Sequence, residues 1–233
     1  WRSEPPDHNL VGHLADTFAY RRGAGAPASE AVTSSTMSPN VLVIACGAIA
    51  HEVMALKRAN GWGHMKVQCL PADLHNRPER ITPAVEAKLD QLADKFDQVF
   101  VAYADCGTGG LLDALLEERG IERITGAHCY EFFAGAQQFA DLSDEEPGTL
   151  YLTDFLARNF ERLLIRGLGI EKHPELEALY FGNYSRVVYL EQRPNPECEA
   201  AARAAAERLG LTFEHRRTGF GQLEVSLTHA ARV

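Results

Sequence analysis

The sequence lacks the features that mark membrane proteins and nucleic-acid-binding proteins. Its longest apolar stretch, residues 41–49, is far shorter than the ~20 residues of a membrane-spanning helix. Basic residues are outnumbered, with 23 Lys and Arg against 32 Asp and Glu and a net charge of -9. Such a balance does not produce the positive surface that attracts nucleic acid or anionic lipid. We therefore expect a soluble protein that contacts neither nucleic acid nor membrane.

A secretory signal and a C-x-x-C pair are also missing. The five cysteines are an odd number, and no apolar segment of signal-peptide length stands near the first residue. In reducing compartments cysteine serves as a metal ligand or a catalyst more often than as half of a disulfide. The sequence thus predicts a cytoplasmic protein with free thiols.

Residues 1–36 differ from the rest of the chain in composition. They are rich in Pro, Gly and Ser and show little apolar periodicity, which is typical of segments that cannot bury a core. Met37 stands directly before the first strong strand pattern. We expect residues 1–36 to be a disordered leader or a non-native extension, and residues 37–233 to form a single α/β domain.

From residue 41 onward, short apolar runs alternate with amphipathic stretches. The predicted strands are 41–46, 67–70, 98–104, 121–127, 187–190 and 211–215, and the predicted helices include 49–59, 83–96, 111–119, 131–139, 150–168 and 196–209. Parallel strands need crossover connections, and right-handed crossovers cover both faces of a sheet. This alternation predicts a doubly wound, mostly parallel sheet with helices on both faces.

Thiols and imidazoles follow the first four predicted strands. In a parallel sheet the carboxyl ends of the strands meet at one edge, where ligands bind near a topological switch point. Zinc takes sulfur from Cys and nitrogen from His, and a catalytic zinc keeps one position open beside three protein ligands. We predict a zinc site in this crevice, and spacing alone does not decide which of the five candidates bind: Cys46, His75, Cys106, His128 and Cys129.

A glycine-rich loop, residues 107–110, follows Cys106 and precedes a predicted helix. Free backbone N–H groups at such a position can hold a carboxylate or phosphate, which makes Gly107, Thr108 and Gly109 candidate substrate-binding residues. The same N–H groups are expected to lower the pKa of Cys106. The alternative is a tight turn that only lets the helix pack against the strand.

Four further polar residues are expected near the same edge. Asp105 and Glu131 are candidate general bases or partners of a metal ligand, whereas Asn76 and Arg77 are candidates for recognising a substrate carboxylate. Each of these residues has an alternative role as a cap of a turn, because short polar side chains bond readily to nearby backbone groups. The sequence leaves both roles open.

Four stretches resemble the domain-of-unknown-function family sixteen thirty-eight (DUF1638): ACGAI (45–49), LHNRPE (74–79), DCGTGGL (105–111) and GAHCYE (126–131). That family has no settled activity. Its members are similar to neighbours of corrinoid-dependent methyltransferase systems, so the resemblance implies a link to one-carbon metabolism and to such a partner. The chain has no D-x-H-x-x-G corrinoid motif, so we expect any cobalamin to be bound by the partner.

Three functions are consistent with these residues. The first is a zinc-dependent enzyme, either a transferase or a hydrolase, or an accessory of methyl transfer, acting on a small molecule in the Cys- and His-lined crevice. The second is a metal-free acid/base enzyme in which two cysteines face each other, because Cys46 and Cys106 distantly resemble the paired cysteine loops of cofactor-independent amino-acid racemases. The third is a non-catalytic module that carries a metal or cofactor.

Overall fold

The most apolar segment of the chain forms the central strand of the first sheet. In the computed structural model, which describes residues 39–232, strand β1 (Val41–Cys46) has its first five side chains completely buried. It pairs in parallel with β2 (Met65–Leu70) on one side and with β3 (Gln98–Ala102) on the other, and β3 pairs with the short β4 (Glu122–Arg123). The predicted leader, residues 1–36, lies outside the described residues.

Helices cover both faces of this sheet, as the period-two alternation of its strands requires. Val41, Val43 and Ala45 face one core, which includes side chains of α1 (Ala50–Ala59), α4 (Cys129–Ala134) and α9 (Gln222–Ala230). Leu42 and Ile44 face the opposite core, built with α2 (Ile81–Leu92) and α3 (Leu111–Arg119). The predicted α/β class, with parallel strands and helices on both faces, is confirmed.

The remaining strands form a second parallel sheet with the order β5-β6-β7. Its strands are β5 (Thr149–Thr153), β6 (Arg186–Glu191) and β7 (Thr212–Arg217), and its helical elements are α5 (Ala136–Glu145), α6 (Asp154–Arg158), a π-helix (Glu161–Arg166), α7 (Glu175–Phe181) and α8 (Pro196–Leu209). Helix α9 then returns to the first sheet, where Leu223 and Leu227 enter the core beside Val43. The parallel strands are therefore divided between two sheets.

Three predicted elements differ clearly from the structure. The predicted helix 131–139 is divided at Gly135, which has a φ of 86°, into α4 and α5. Residues 150–168 were expected to form one helix, but Thr149–Thr153 form a strand whose five side chains are all buried. Strand-favouring Thr and Tyr residues at this position outweigh a short helical periodicity. The predicted strand 121–127 is reduced to Glu122–Arg123, because the chain then turns away to pair its carbonyl groups with the segment after β3.

Helices long and apolar enough to cross a bilayer do not occur among residues 39–232.

The turn after β1 predicts a sensitive position. A Cβ atom at Gly47 would lie 2.7 Å from the carbonyl oxygen of Leu70 and 3.1 Å from the backbone nitrogen of Ala72. We expect Gly47→Ala to lower the free energy of unfolding by about 1–3 kcal/mol, because backbone atoms must move apart. Gly63→Ala is the control, since nothing lies within 4 Å of a Cβ there. Equal denaturation midpoints for the two variants would contradict this packing.

Candidate functional site

The carboxyl ends of β1 and β3 define the switch point of the first sheet. With the order β2-β1-β3-β4, the chain leaves β1 on one side toward β2 and later returns on the other side as β3. A cavity of about 10 Å³ lies at this point, which is room for roughly one water-sized sphere. Its wall consists of Cys46, Ala48, Ile49, His75, Ala102, Tyr103, Ala104, Cys106, Cys129 and Phe132.

Cys46 ends β1 and begins the turn that leads into α1. Its thiol caps that turn, with the Sγ atom accepting from the backbone N–H of Ala48 at 3.4 Å. Burial raises the pKa of Cys46, although the hydrogen bond from Ala48 and the phenol of Tyr103 oppose the shift. The thiol is thus held in its neutral form beside the cavity.

Cys106 is held in an unusual backbone conformation. Its φ of 52° lies in the left-handed region, which costs a residue other than glycine about 1–3 kcal/mol unless its surroundings impose it. Here they do, because the N–H of Cys106 donates to the carbonyl of Ala127 at 2.8 Å and that of Asp105 donates to Gly126 at 3.0 Å. The loop after β4 therefore fixes the position of the thiol.

The pKa of Cys106 contradicts the expectation that the glycine-rich loop lowers it. Burial, followed by the charges of Cys46 and Asp105, raises the pKa of Cys106 to about 12. The N–H groups of the loop do not face the thiol. They donate instead to the carboxylate of Asp105, from Gly107 at 3.1 Å, Gly109 at 3.3 Å and Gly110 at 3.1 Å.

Asp105 is consequently the internal anchor of the loop 107–110. The hydroxyl of Thr108 also donates to it, at 2.5 Å. Partial burial opposes ionisation, but the bonds from Thr108 and the three loop N–H groups outweigh it and lower the pKa of Asp105. This geometry favours the turn-capping role for Asp105, and it leaves the loop without the free N–H donors that substrate binding by Gly107 or Gly109 would use.

Cys129 completes a group of three neighbouring thiols. It is the first residue of α4 and is buried. Burial raises the pKa of Cys129 well above its usual range, and the charges of Cys106 and Cys46 raise it further. Cysteines that are 23 to 83 residues apart in the chain thus lie within electrostatic reach of one another.

The two candidate histidines occupy different places. His75 lies on the 3-10 turn Ala72–Asn76 and lines the cavity. Burial, and then the charge of His128, lowers the pKa of His75, so its imidazole is neutral with a free lone pair. His128 is exposed at the start of α4, and its ring packs 5.8 Å from that of Tyr130. The structure brings His75 to the thiols and leaves His128 outside the cavity.

Glu131 and Asn76 each bond to the backbone rather than to the cavity. Glu131 accepts from the N–H of Ala127 at 2.7 Å and thereby fastens the loop that positions Cys106. Asn76 donates to the carbonyl of Leu163 at 3.0 Å, linking the loop after β2 to the π-helix. Arg77 is exposed. The geometry favours a structural role for Glu131 and Asn76.

Tyr103 lines the cavity and was not among the site residues predicted from the sequence. It is 1 % exposed, and its hydroxyl forms no well-aligned hydrogen bond with any residue between 39 and 232. Burial, and then the adjacent Cys46, raises the pKa of this phenol. The available signal was a hydroxyl group inside an otherwise apolar strand pattern that ends at the predicted site. Its polar neighbour is the thiol of Cys46, a weak acceptor, so this hydroxyl can also donate to a group in the cavity.

The thiol cavity, defined by Cys46, Cys106, Cys129 and His75, has donor atoms suited to a soft or borderline metal ion. As the side chains stand, however, residues 39–232 contain no group of three or more His, Cys, Asp or Glu side chains close enough to hold one. The donor types and the size of the cavity fit a single ion, and the thiols would have to turn toward a common centre to bind it.

Comparison with known proteins identifies one family. Residues 69–227 match the family described as "Protein of unknown function (DUF1638)", which is more than half of the chain. Searches of curated proteins and of solved structures gave no match.

The raised pKa of Cys106 generates a prediction. Asp105→Asn removes a negative charge that raises this pKa, so we expect alkylation of Cys106 by iodoacetamide at pH 8 to become roughly threefold faster, which corresponds to half a pKa unit. The midpoint of the rate against pH, followed by mass spectrometry, should shift downward. Asp144→Asn, an exposed residue, is the control. A faster rate without a shifted midpoint would instead indicate a loosened loop.

Proposed function

The chain belongs to the DUF1638 family, and from that premise we propose that its thiol cavity binds a single zinc ion. The ligands in this proposal are the thiols of Cys46, Cys106 and Cys129. The observation that carries it is the cavity itself, whose polar lining consists of three thiols, one imidazole and the phenol of Tyr103 beside Cys46. Thiolate sulfur and imidazole nitrogen are the ligands that zinc prefers in proteins.

The protonation state of these groups supports a metal site over a reactive thiolate. Raised pKa values keep Cys46, Cys106 and Cys129 neutral in an apolar wall. Three thiolates at one point repel one another, and only a nearby cation makes their joint ionisation favourable. Bound there, zinc would supply Lewis acidity toward a fourth ligand such as water or a substrate thiol.

Residues around the cavity would then act on the group bound as the fourth ligand of the zinc ion. The neutral imidazole of His75 lines the cavity and can accept a proton from the incoming group. The hydroxyl of Tyr103 can donate a hydrogen bond to an anion that forms beside Cys46. Asp105 holds the loop that carries Cys106, and Glu131 holds the facing loop to which Cys106 bonds at Ala127, so both carboxylates position the site without contacting the reacting group.

This arrangement is proposed to serve a small-molecule enzyme, or an accessory protein, of one-carbon and methyl-transfer metabolism. The resemblance to neighbours of corrinoid-dependent methyltransferases supports that setting and implies such a system as the partner. A zinc ion that activates a thiol would suit methyl transfer, because a thiolate is the nucleophile in that chemistry. Turnover with a methylated substrate separates the enzyme from a protein that only carries metal.

The metal-free two-cysteine mechanism is less well supported by the geometry. Such an enzyme needs one thiolate base at neutral pH, but the pKa values of Cys46 and Cys106 are both raised. It also needs space for a substrate between the thiols, whereas the cavity measures about 10 Å³. Both observations favour an ion over an amino acid at this position.

Elemental analysis of protein prepared without an affinity tag tests the proposal. We expect close to one zinc per chain under reducing conditions. Cys106→Ser and Cys129→Ser should weaken zinc binding by more than the roughly 10- to 100-fold typical of losing a partner of a metal ligand. Cys198→Ala is the matched control, because Cys198 belongs to α8 and is buried in the core of the second sheet. Zinc far below one per chain, in protein reconstituted with the metal, would refute the site.

Proton release gives a second, independent prediction. Each thiol that is neutral before binding must lose a proton to become a ligand. Three thiol ligands predict that the logarithm of the zinc association constant rises by about three per pH unit near neutrality. His75 adds nothing to this slope, because its lowered pKa leaves it neutral. Calorimetry in buffers of different ionisation enthalpy measures the protons released, and a count below two would contradict the three-thiol set.

A further inference from the structure

The segment between β2 and α2, residues 71–80, closes one side of the thiol cavity. It consists of two 3-10 turns, Ala72–Asn76 and Pro78–Arg80, and His75 from the first turn forms part of the cavity wall. The cavity measures about 10 Å³, which is room for roughly one water molecule. A substrate group larger than water therefore cannot come between the thiols unless part of the wall moves.

The thiols on the other walls are fixed by long-range contacts. Cys46 ends β1, which is paired with a strand on each side. The N–H of Cys106 donates to the carbonyl of Ala127 at 2.8 Å. Cys129 belongs to α4 and is buried in the same core as β1. Moving any of these walls would disturb the first sheet or its core.

The backbone of residues 71–80, in contrast, is bonded within the segment. The N–H groups of Leu74, Arg77 and Arg80 donate to the carbonyl groups of Pro71, Leu74 and Arg77 at 3.3, 2.9 and 2.9 Å. Segments of this kind open locally at low cost, because few long-range bonds break when they move. Residues 71–80 are thus the part of the wall that can move as a unit.

Two apolar contacts seat the segment on the rest of the protein. Leu74 packs against the core that includes α2 and α3. The ring of Pro78 lies against Gly107, where a Cβ atom would be 3.2 Å from the Cγ of Pro78. Because Gly107 follows Cys106, the segment rests on the loop that carries this thiol.

A side-chain hydrogen bond fastens the segment to the π-helix. The amide Nδ2 of Asn76 donates to the carbonyl of Leu163 at 3.0 Å, across 87 residues of sequence. Leu163 belongs to the π-helix Glu161–Arg166, a rare helix type that is frequent at functional sites. A Cβ atom at Gly167 would lie 2.7 Å from the same Nδ2 atom. The chain therefore provides both an acceptor and the space that this amide needs.

We propose that residues 71–80 form a lid on the thiol cavity, and that the hydrogen bond from Asn76 to Leu163 holds the lid closed. Lids of this kind open to admit a substrate and close to exclude water. Because His75 lies on the lid, opening withdraws its imidazole from the thiols and closing returns it. In the closed state a bound group is screened from solvent and lies beside a proton acceptor.

The lid controls access to the cavity and does not depend on the presence of zinc. In the zinc-bound protein of the proposed function, it would admit the group that becomes the fourth ligand. Failure of the zinc proposal would leave access to the thiols unchanged, and failure of the lid would leave the zinc content unchanged. Metal-free protein therefore tests the lid separately.

Alkylation of individual cysteines in the metal-free, 233-residue chain tests the lid. The protein is treated with iodoacetamide at pH 8, and mass spectrometry follows the rate at each cysteine. We expect Asn76→Ala and Asn76→Asp each to accelerate alkylation of Cys46, Cys106 and Cys129 by about fivefold, which corresponds to the loss of one hydrogen bond of ordinary strength. Neither variant can donate to Leu163, and Asn76→Asp keeps the size of the side chain.

Asn60→Ala is the matched control, because the Asn60 amide donates to the carbonyl of Leu56 at the same 3.0 Å, at the end of α1. Its cavity thiols should react like those of the wild type. Two further cysteines are internal references whose rates should stay constant, namely the exposed Cys69 and the buried Cys198. Unchanged rates at the cavity thiols, acceleration in Asn76→Ala but not in Asn76→Asp, or equal acceleration at Cys198 would each overturn the lid.

Discussion

The exclusion of water from three neighbouring thiols is the constraint on which the site depends. Cys46, Cys106 and Cys129 stand against an apolar wall formed by side chains such as Ile49 and Phe132. Desolvation is the largest influence on each of their pKa values, and it outweighs the stabilising bond from Ala48. The three thiols therefore stay protonated and unreactive unless a nearby positive charge stabilises a thiolate. A cation can do this, and the size of the cavity limits the occupant to a single ion or a water molecule.

The loops at this site are held together from within by their own carboxylates. The Asp105 carboxylate accepts hydrogen bonds from N–H groups of the glycine-rich loop, and the Glu131 carboxylate accepts one from the N–H of Ala127 on the facing loop. Because Cys106 bonds to Ala127, the two carboxylates jointly set the position of one sulfur. Local sequence does not distinguish such an anchor from a catalytic base, since Asp beside a glycine-rich turn is common in both roles. Only the directions of the N–H groups separate them.

Strong local patterns allowed much of the fold to be predicted. β1, α3 and α8 were predicted with the bounds that the structure shows, because each combines a continuous pattern with a clear stop such as Gly120 or Gly210. β5 was not, since Leu150 and Leu152 also fit a helical spacing. The division into two sheets depends on long-range pairing, which periodicity does not encode. The convergence of Cys46, Cys106 and Cys129 followed from parallel strands alone, whereas the placement of the Tyr103 hydroxyl beside Cys46 and the burial of Glu52 required coordinates.

The left-handed backbone of Cys106 has a consequence for how this protein tolerates change. Glycine adopts that conformation freely, so the chain would relax if the sulfur were given up at this position. Selection for stability alone would favour glycine at position 106. That exchange would raise the free energy of unfolding and remove one of the three thiols. At Cys106 the stability of the fold and the presence of the thiol therefore impose opposite requirements on the sequence.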